Sequence, residues 1–239
     1  MNDKECVANF AASLVKDGMI VGLGTGSTAN FFIEELANRI KKEGLQITTV
    51  ASSVVSMLKA QELGLPLVAI EHLTRLDLYV DGADEVTPDN TLLKGQGADL
   101  VREKLLARAS DQFIVLVDQS KMVDRIGVRF PIPVEVMPFA WQMVKQQLEG
   151  VGGQGELRQN NNGNGLALSS HGSLILDVVF EPELDSGEID TILNGMPGVV
   201  EHGVFRGLAG SVLLVVDGKL KELPRSLSEN RNRREGKPF

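Results

Sequence analysis

The sequence predicts an α/β protein: a doubly wound, mostly parallel sheet with a smaller α+β unit inserted late in the chain. Through the first half, short apolar runs alternate with amphipathic stretches of helical length, the pattern of strands covered by helices on both faces. From about residue 131 the order of elements changes to one close to βαββαβ, the ferredoxin-like arrangement. Segments rich in glycine, carboxylates and lysine, at 24–28, 81–85, 94–104 and 117–121, also follow predicted strands. In an open parallel sheet the carboxyl ends of the strands form the ligand crevice.

Residues 4–16 have helical periodicity and stop at Asp17-Gly18. Residues 19–23 form a short buried strand feeding Gly24, Thr25, Gly26, Ser27 and Thr28. A helix then runs to about Lys42, its apolar face built from Phe31, Phe32, Leu36 and Ile40. A strand at 47–51, a helix at 54–63, a strand at 67–70 and another at 76–80 follow, the last ending at Asp81. The turn 87–90 leads to Leu92-Leu93-Lys94, a glycine loop, a helix from about Ala98 to Ala109 and an apolar strand at 113–117. In the second unit the pattern predicts a strand at 134–137, a helix at 139–149 and a strand near 155–158. An exposed polar hairpin tip at 160–165, a weak strand at 166–168, a strand at 174–180, a helix at 188–194 and a strand at 198–205 complete it. The run 212–216 returns most simply to the first sheet, which makes 131–205 an insertion into a catalytic unit formed by 1–130 and 206–224. The tail from Arg225 to Phe239 holds five basic and two acidic residues and is expected to be disordered.

A chain of 239 residues, 43% hydrophobic and 23% charged, is long enough to bury a full core. Its net charge of −8 predicts that the surface repels nucleic acid and anionic membranes, so the expected partner is a small molecule held by a local cluster of donors. Cys6 is the single cysteine, which excludes an internal disulfide and suits a reducing compartment. The polar start is no secretory signal and no apolar run approaches the ~20 residues of a membrane span, so a cytoplasmic location is expected. His72, His171 and His202 lie far apart without partners at ligand spacing, and no metal site is predicted.

The segment Gly24 to Thr28 has the chemistry of a phosphate site: glycines admit close backbone approach, the next helix aims free N–H groups at the anion, and hydroxyls add donors. It nearly fits the dinucleotide fingerprint. However, Ser27 occupies the third glycine position, and the second strand ends in Ala51-Ser52-Ser53 with no acid for a ribose hydroxyl, which favours a mononucleotide or sugar phosphate. A tight turn without a ligand fits the same residues taken alone. Asp81, Gly82, Ala83, Asp84 and Glu85 put three carboxylates within five residues, a crowding that raises pKa values and suits proton transfer. A metal site, or plain turn and cap chemistry, would use the same residues. Lys94, Gly95, Gln96 and Gly97 repeat the glycine-loop logic with a cation. Glu103 shares a helical stripe with Leu100, Leu106 and Ala107, has no basic residue at i±3 or i±4, and lies four residues after Asp99. Burial and an acidic neighbour both raise its pKa, so Glu103 is the candidate general base. Lys121, beyond the strand 113–117, belongs with the others because it shares their sheet edge.

Together these segments closely resemble ribose-5-phosphate isomerase of the A type. So do Ile20-Val21-Gly22, Pro133-Val134-Glu135-Val136-Met137-Pro138, Ile175-Leu176-Asp177-Val178 and Pro197-Gly198-Val199-Val200. The resemblance implies a Rossmann-like domain with an inserted ferredoxin-like lid, no cofactor, and a homodimer or homotetramer. It implies reversible conversion of D-ribose 5-phosphate to D-ribulose 5-phosphate through an enediolate, in the non-oxidative branch of the pentose phosphate pathway. Thr25 to Thr28, Asp81 to Asp84, Lys94 to Gly97 and Lys121 would bind the sugar phosphate. Asp81 would assist ring opening, Asp84 would orient hydroxyls, Lys94 would stabilise negative charge and Glu103 would carry the proton. The chain departs from the family pattern at Gln96, Asp99, Val101 and Gln119. A positive φ at Gln96 would add backbone strain. The family's first-helix phosphate lysine is not carried over, since the matching stretch reads Cys6-Val7-Ala8. A sugar-phosphate sensor without catalysis is the alternative these departures motivate. An amino-sugar phosphate deaminase or acyl-CoA transferase on the same fold is disfavoured by the joint presence of 81–84, the lysine loop and Glu103.

Overall fold

The computed structural model describes residues 2–224; the basic tail lies outside them. Helix α1 (Asp3–Ser13) opens with a capping box in which Asn2 and Glu5 satisfy each other's backbone N–H groups. Strand β1 (Ile20–Leu23), helix α2 (Ser27–Glu43), strand β2 (Thr48–Ala51) and helix α3 (Val54–Glu62) follow as the periodicity predicts. The chain continues through β3 (Leu76–Gly82), β4 (Glu85–Val86), β5 (Leu92–Leu93), α4 (Leu100–Ala109) and β6 (Ser110–Leu116). The second unit runs β7 (Ile132–Val136), α5 (Trp141–Glu149), β8 (Gly153–Leu157), β9 (Leu174–Phe180), α6 (Ser186–Gly195) and β10 (Val199–His202). Strands β11 (Val204–Phe205), β12 (Ser211–Val216) and β13 (Lys219–Pro224) end the described chain.

The main sheet has the order β13-β12-β6-β3-β1-β2, parallel except for β13. Its five parallel strands follow the 2-1-3-4-5 order of doubly wound sheets, with the switch point between β1 and β3. One core, which includes Val7, Phe32, Leu36 and Leu213, packs α1 and α2 against one face; another, with Leu100, Leu106, Phe113 and Phe205, packs α4 against the other. The second sheet, β10-β7-β9-β8, is antiparallel throughout, the order a ferredoxin-like βαββαβ unit requires. Its core holds Val134, Val144, Leu176 and Ile189. The run 212–216 does return to the main sheet, beside β6. Among the described residues no helix is long and apolar enough to cross a membrane.

Several expectations need correction. The strand expected at 67–70 is one bridge between Leu67 and Thr49, after which residues 70–72 turn as a 3-10 helix. This run reaches only the sheet's outermost strand, and its side chains are exposed or half-buried, so little burial holds it extended. The weak strand at 166–168 reduces to two isolated bridges. The strand expected at 198–205 is broken at Gly203, where a Cβ would strike the Lys94 carbonyl oxygen. There the chain leaves the second sheet and β11 pairs with β5, which pairs in turn with β4 to form a small seam sheet. Strand β13 was not foreseen, although Asp217-Gly218, both at positive φ, is the two-residue turn that specifies a hairpin.

Phe32 is fully buried between α2 and the sheet, on the helix whose first turn meets the crevice. Phe32→Ala is expected to lower unfolding free energy by about 3–5 kcal/mol in urea melts.

Candidate active site

The chain places its four chemistry-bearing segments around one cavity of about 300 Å³ above the β1/β3 switch point. Gly24 is there because the turn passes over Asp81 so closely that a Cβ would lie 2.5 Å from the Asp81 Cα. Gly26, at φ 106°, starts α2 without a side-chain cap. The first-turn N–H groups of Ser27, Thr28 and Ala29 are therefore available at the cavity wall, at the positive end of a 17-residue helix. Thr25 behaves differently: its N–H donates to Asp81 Oδ1 at 2.9 Å, and its hydroxyl bonds Ser52 and Ser53 at the end of β2. Ser52 and Ser53 thus brace the 24–28 loop.

The three carboxylates of 81–85 have separate fates. Asp81 is completely buried and lies beneath the cavity rather than on its wall. Oδ1 accepts from the N–H groups of Thr25 and Gly82, and Oδ2 from the Tyr79 hydroxyl and, at 2.9 Å, from Lys94 Nζ. Asp84 lies on the wall, where burial raises its pKa and Lys94 opposes the rise. Glu85 points away and accepts from the N–H groups of Gly127, Arg129 and Phe130, fixing the crossing into the second sheet.

Lys94 is 4% exposed. Besides Asp81, its ammonium bonds the Gly82 carbonyl at 2.8 Å and stands 3.3 Å from Glu103 Oε2, a contact that lacks hydrogen-bond geometry. Burial alone would lower the Lys94 pKa, but the charges of Asp81 and Glu103 outweigh it and the pKa is raised. Glu103 lies on the buried stripe of α4, as its spacing predicts, and also lines the cavity. Burial pushes its carboxyl up to about 7; Lys94 opposes this and Asp81 adds to it. Gly95, Gln96 and Gly97 complete this wall. Gln96 is not among the positive-φ residues, and its side chain is exposed. The strain expected there falls instead on Ala98, at φ 61°. Asp99 turns its carboxylate to Ser170 of the second unit.

Lys121 reaches the cavity from a 3-10 turn that begins at Gln119 and is capped by Asp118, with Nζ 5.7 Å from the centre of the Phe130 ring. A residue not expected here is Lys4, whose Nζ lies 3.0 Å from Ser27 Oγ at the cavity rim. It precedes Cys6-Val7-Ala8, in the first turn of α1, so the first helix does bring a lysine to the cavity. Lys4 shares one helical stripe with Val7, Ala8 and Ala11, which are buried, so the projection that singled out Glu103 would also have found it. Among the described residues no group of three His, Cys, Asp or Glu side chains is placed to hold a metal ion.

A carboxyl poised near neutrality beside a buried ammonium, opening on a pocket of lysines, hydroxyls and helix N–H groups, can move a proton on a small phosphorylated molecule. These features define an α/β sugar-phosphate enzyme of the proton-transfer kind. The model of the ribose 5-phosphate isomerase A (phosphoriboisomerase A) family matches residues 48–218. Ribose-5-phosphate isomerase A of Thermosynechococcus vestitus is 42% identical over 90% of this chain and 93% of its own length. That of Methanothermobacter thermautotrophicus is 43% identical over 93% and 98%. The structure of the Methanocaldococcus jannaschii enzyme superposes with a TM-score of 0.87 at 39% identity, covering 92% of this chain and 97% of that one. A D-ribose-5-phosphate isomerase solved in complex with phospho-erythronic acid gives 0.89 at 36% identity, covering 94% and 100%. The chain belongs to the ribose 5-phosphate isomerase A family.

Because the folded pKa of Glu103 is raised, its contribution to stability is full below the ordinary value of 4.5 and is lost as pH rises through about 7. Glu103→Gln removes this dependence. In urea melts the variant should therefore gain stability relative to the parent between about pH 5 and about pH 8.

Proposed function

We propose that the chain interconverts D-ribose 5-phosphate and D-ribulose 5-phosphate through an enediolate, as a step of the non-oxidative pentose phosphate pathway. The observation that carries this reading is the pairing of Glu103 with Lys94 on a cavity whose rim also holds Lys4, Ser27, Thr28 and Lys121. The rim takes the phosphate: two ammonium groups, hydroxyls and helix N–H donors match a dianion. The sugar chain then lies toward Glu103.

Ribose 5-phosphate is mostly a cyclic hemiacetal, so the C1–O4 bond must open first. Asp81 has both oxygens committed to four hydrogen bonds and no face on the cavity, which moves ring opening to Asp84. Asp84 carries the proton from the C1 hydroxyl to the ring oxygen, and its burial-raised pKa suits that exchange. Glu103 removes the C2 proton and returns it at C1, while the hydroxyl proton on O2 passes to O1. Negative charge on oxygen in between is held by Lys94 and the N–H groups of the 95–97 loop; such a donor is worth roughly 3–4 kcal/mol. Asp81 holds Lys94 in place. The division into 1–130 with 206–224 and an inserted lid at 131–205, a cytoplasmic location and a homodimer or homotetramer belong to the same reading. Nothing favours the sensor: Gln96 is unstrained, Asp99 has a structural partner, and a first-helix lysine is present.

Ketose formation from ribose 5-phosphate in the presence of a chelator is the direct assay. Glu103→Gln should remain folded and lose about 10²–10⁴-fold in turnover, and the parent's kcat/KM should rise with pH through a limb near pH 7. Near-parental turnover in the variant would remove Glu103 as the base.

The two aspartates separate by a different comparison. Asp81→Asn leaves a buried ammonium without its main partner and should cost about 3–5 kcal/mol of stability. Asp84→Asn should melt like the parent and lose turnover, and if it turns over normally, ring opening lies elsewhere.

A further inference from the structure

We propose that Arg158, held by Asp177, is a positioning residue that sets the direction in which the 95–97 loop presents its N–H groups to the reacting oxygens. This rests on the assignment of that loop to the substrate cavity. Arg158 follows β8 in the second sheet, and its Nε and Nη2 form a bidentate pair with Asp177 on β9, at 2.9 and 2.5 Å. The fork leaves Nη1 free to reach across to the main unit. It donates to the Gly95 carbonyl at 3.0 Å and to the Gln96 carbonyl at 3.1 Å.

In a trans peptide the C=O and N–H point in opposite directions. Fixing the Gly95 carbonyl toward Arg158 therefore turns the Gln96 N–H away from it, toward the cavity, where it lies 3.4 Å from Asp84 Oδ2. Fixing the Gln96 carbonyl does the same for the Gly97 N–H. Gly95 adopts φ 101°, and its carbonyl also accepts the Ala98 N–H at 3.2 Å, so the turn holds the first of these two peptides together with Arg158, and the Gln96 carbonyl rests on Arg158. Arg158 is 14% exposed and Asp177 23%, so the clamp is largely shielded from water. Ser170 and Asp99 add a second tie between the same two units at the far end of the loop. The chain thus imports the orientation of the Gln96 N–H, which donates to Asp84, and of the Gly97 N–H from a sheet that contributes no side chain to the cavity wall.

The test is steady-state kinetics of Arg158→Met, Arg158→Lys and Asp177→Asn on ribose 5-phosphate, with inhibition by phospho-erythronic acid and by inorganic phosphate. Phospho-erythronic acid has a planar carboxylate where the enediolate would carry its oxygens; inorganic phosphate probes the rim alone. Arg158→Met should lose about 10²-fold in kcat with KM within about threefold of the parent. Its inhibition constant for phospho-erythronic acid should rise in step with the loss in kcat/KM, and that for phosphate should stay unchanged. Arg158→Lys, which keeps one donor, should recover part of the loss, and Asp177→Asn should fall between; these two carry the test if Arg158→Met does not fold. Unchanged kcat, or equal weakening of both inhibitors, overturns the inference. Glu103→Gln run in parallel separates the outcomes. If it is inactive while the Arg158 variants are normal, only the clamp is wrong, and if it is active, the site assignment itself has failed.

Discussion

One buried ammonium between two carboxylates organises the site. Lys94 is almost fully enclosed, and an unpaired charge there would cost several kcal/mol. Asp81 meets this demand from below with a direct 2.9 Å bond, and the Gly82 carbonyl adds another. Glu103 receives the remainder: an ion contact at 3.3 Å without a hydrogen bond, in the same dry surroundings. Unequal sharing is what separates the two acids in role. One is fully occupied by its hydrogen bonds, and the other has a charged form that burial and Asp81 oppose and Lys94 supports, which raises its pKa to about 7.

That arrangement explains the backbone around it. Asp81 can sit under the first loop only because Gly24 has no side chain, and its Oδ1 then fixes the Thr25 N–H that shapes the entry to α2. The 24–28 loop and the wall that carries Lys94 therefore share a carboxylate, Asp81. The 2-1-3-4-5 strand order brings them together, because β1 and β3 are adjacent while their following segments diverge.

Much of this was legible in the residues, for identifiable reasons. The periodicity of α2 and the apolar runs of β3 and β6 report burial directly, and Glu103 betrayed itself as a charge on a buried stripe. Lys4 obeys the same rule: it is a charge on the stripe of Val7, Ala8 and Ala11, and it stands in the first turn of α1. The separate fates of Asp81, Asp84 and Glu85 were not legible. Asp81 and Glu85 depend in part on partners 40 or more residues away, Thr25 and Gly127, while Asp84 takes the Gln96 N–H across the turn from the two-residue strand β4, which is too short to show a period. Likewise the break at Gly203 answers to the Lys94 carbonyl, across more than 100 residues of chain.

Gly203 ties the two sheets together in a way that bears on how such a protein can change. Its carbonyl accepts the Lys94 N–H at 2.9 Å, and its own N–H donates to Pro133, so the residue that carries the ammonium is stitched at its backbone to both ends of the second unit. The inserted unit is thus not an appendage that recombination can trim or exchange freely. Any replacement must arrive with its first and last strands already spaced to receive Lys94, which leaves its outer hairpins as the region where length and sequence can drift.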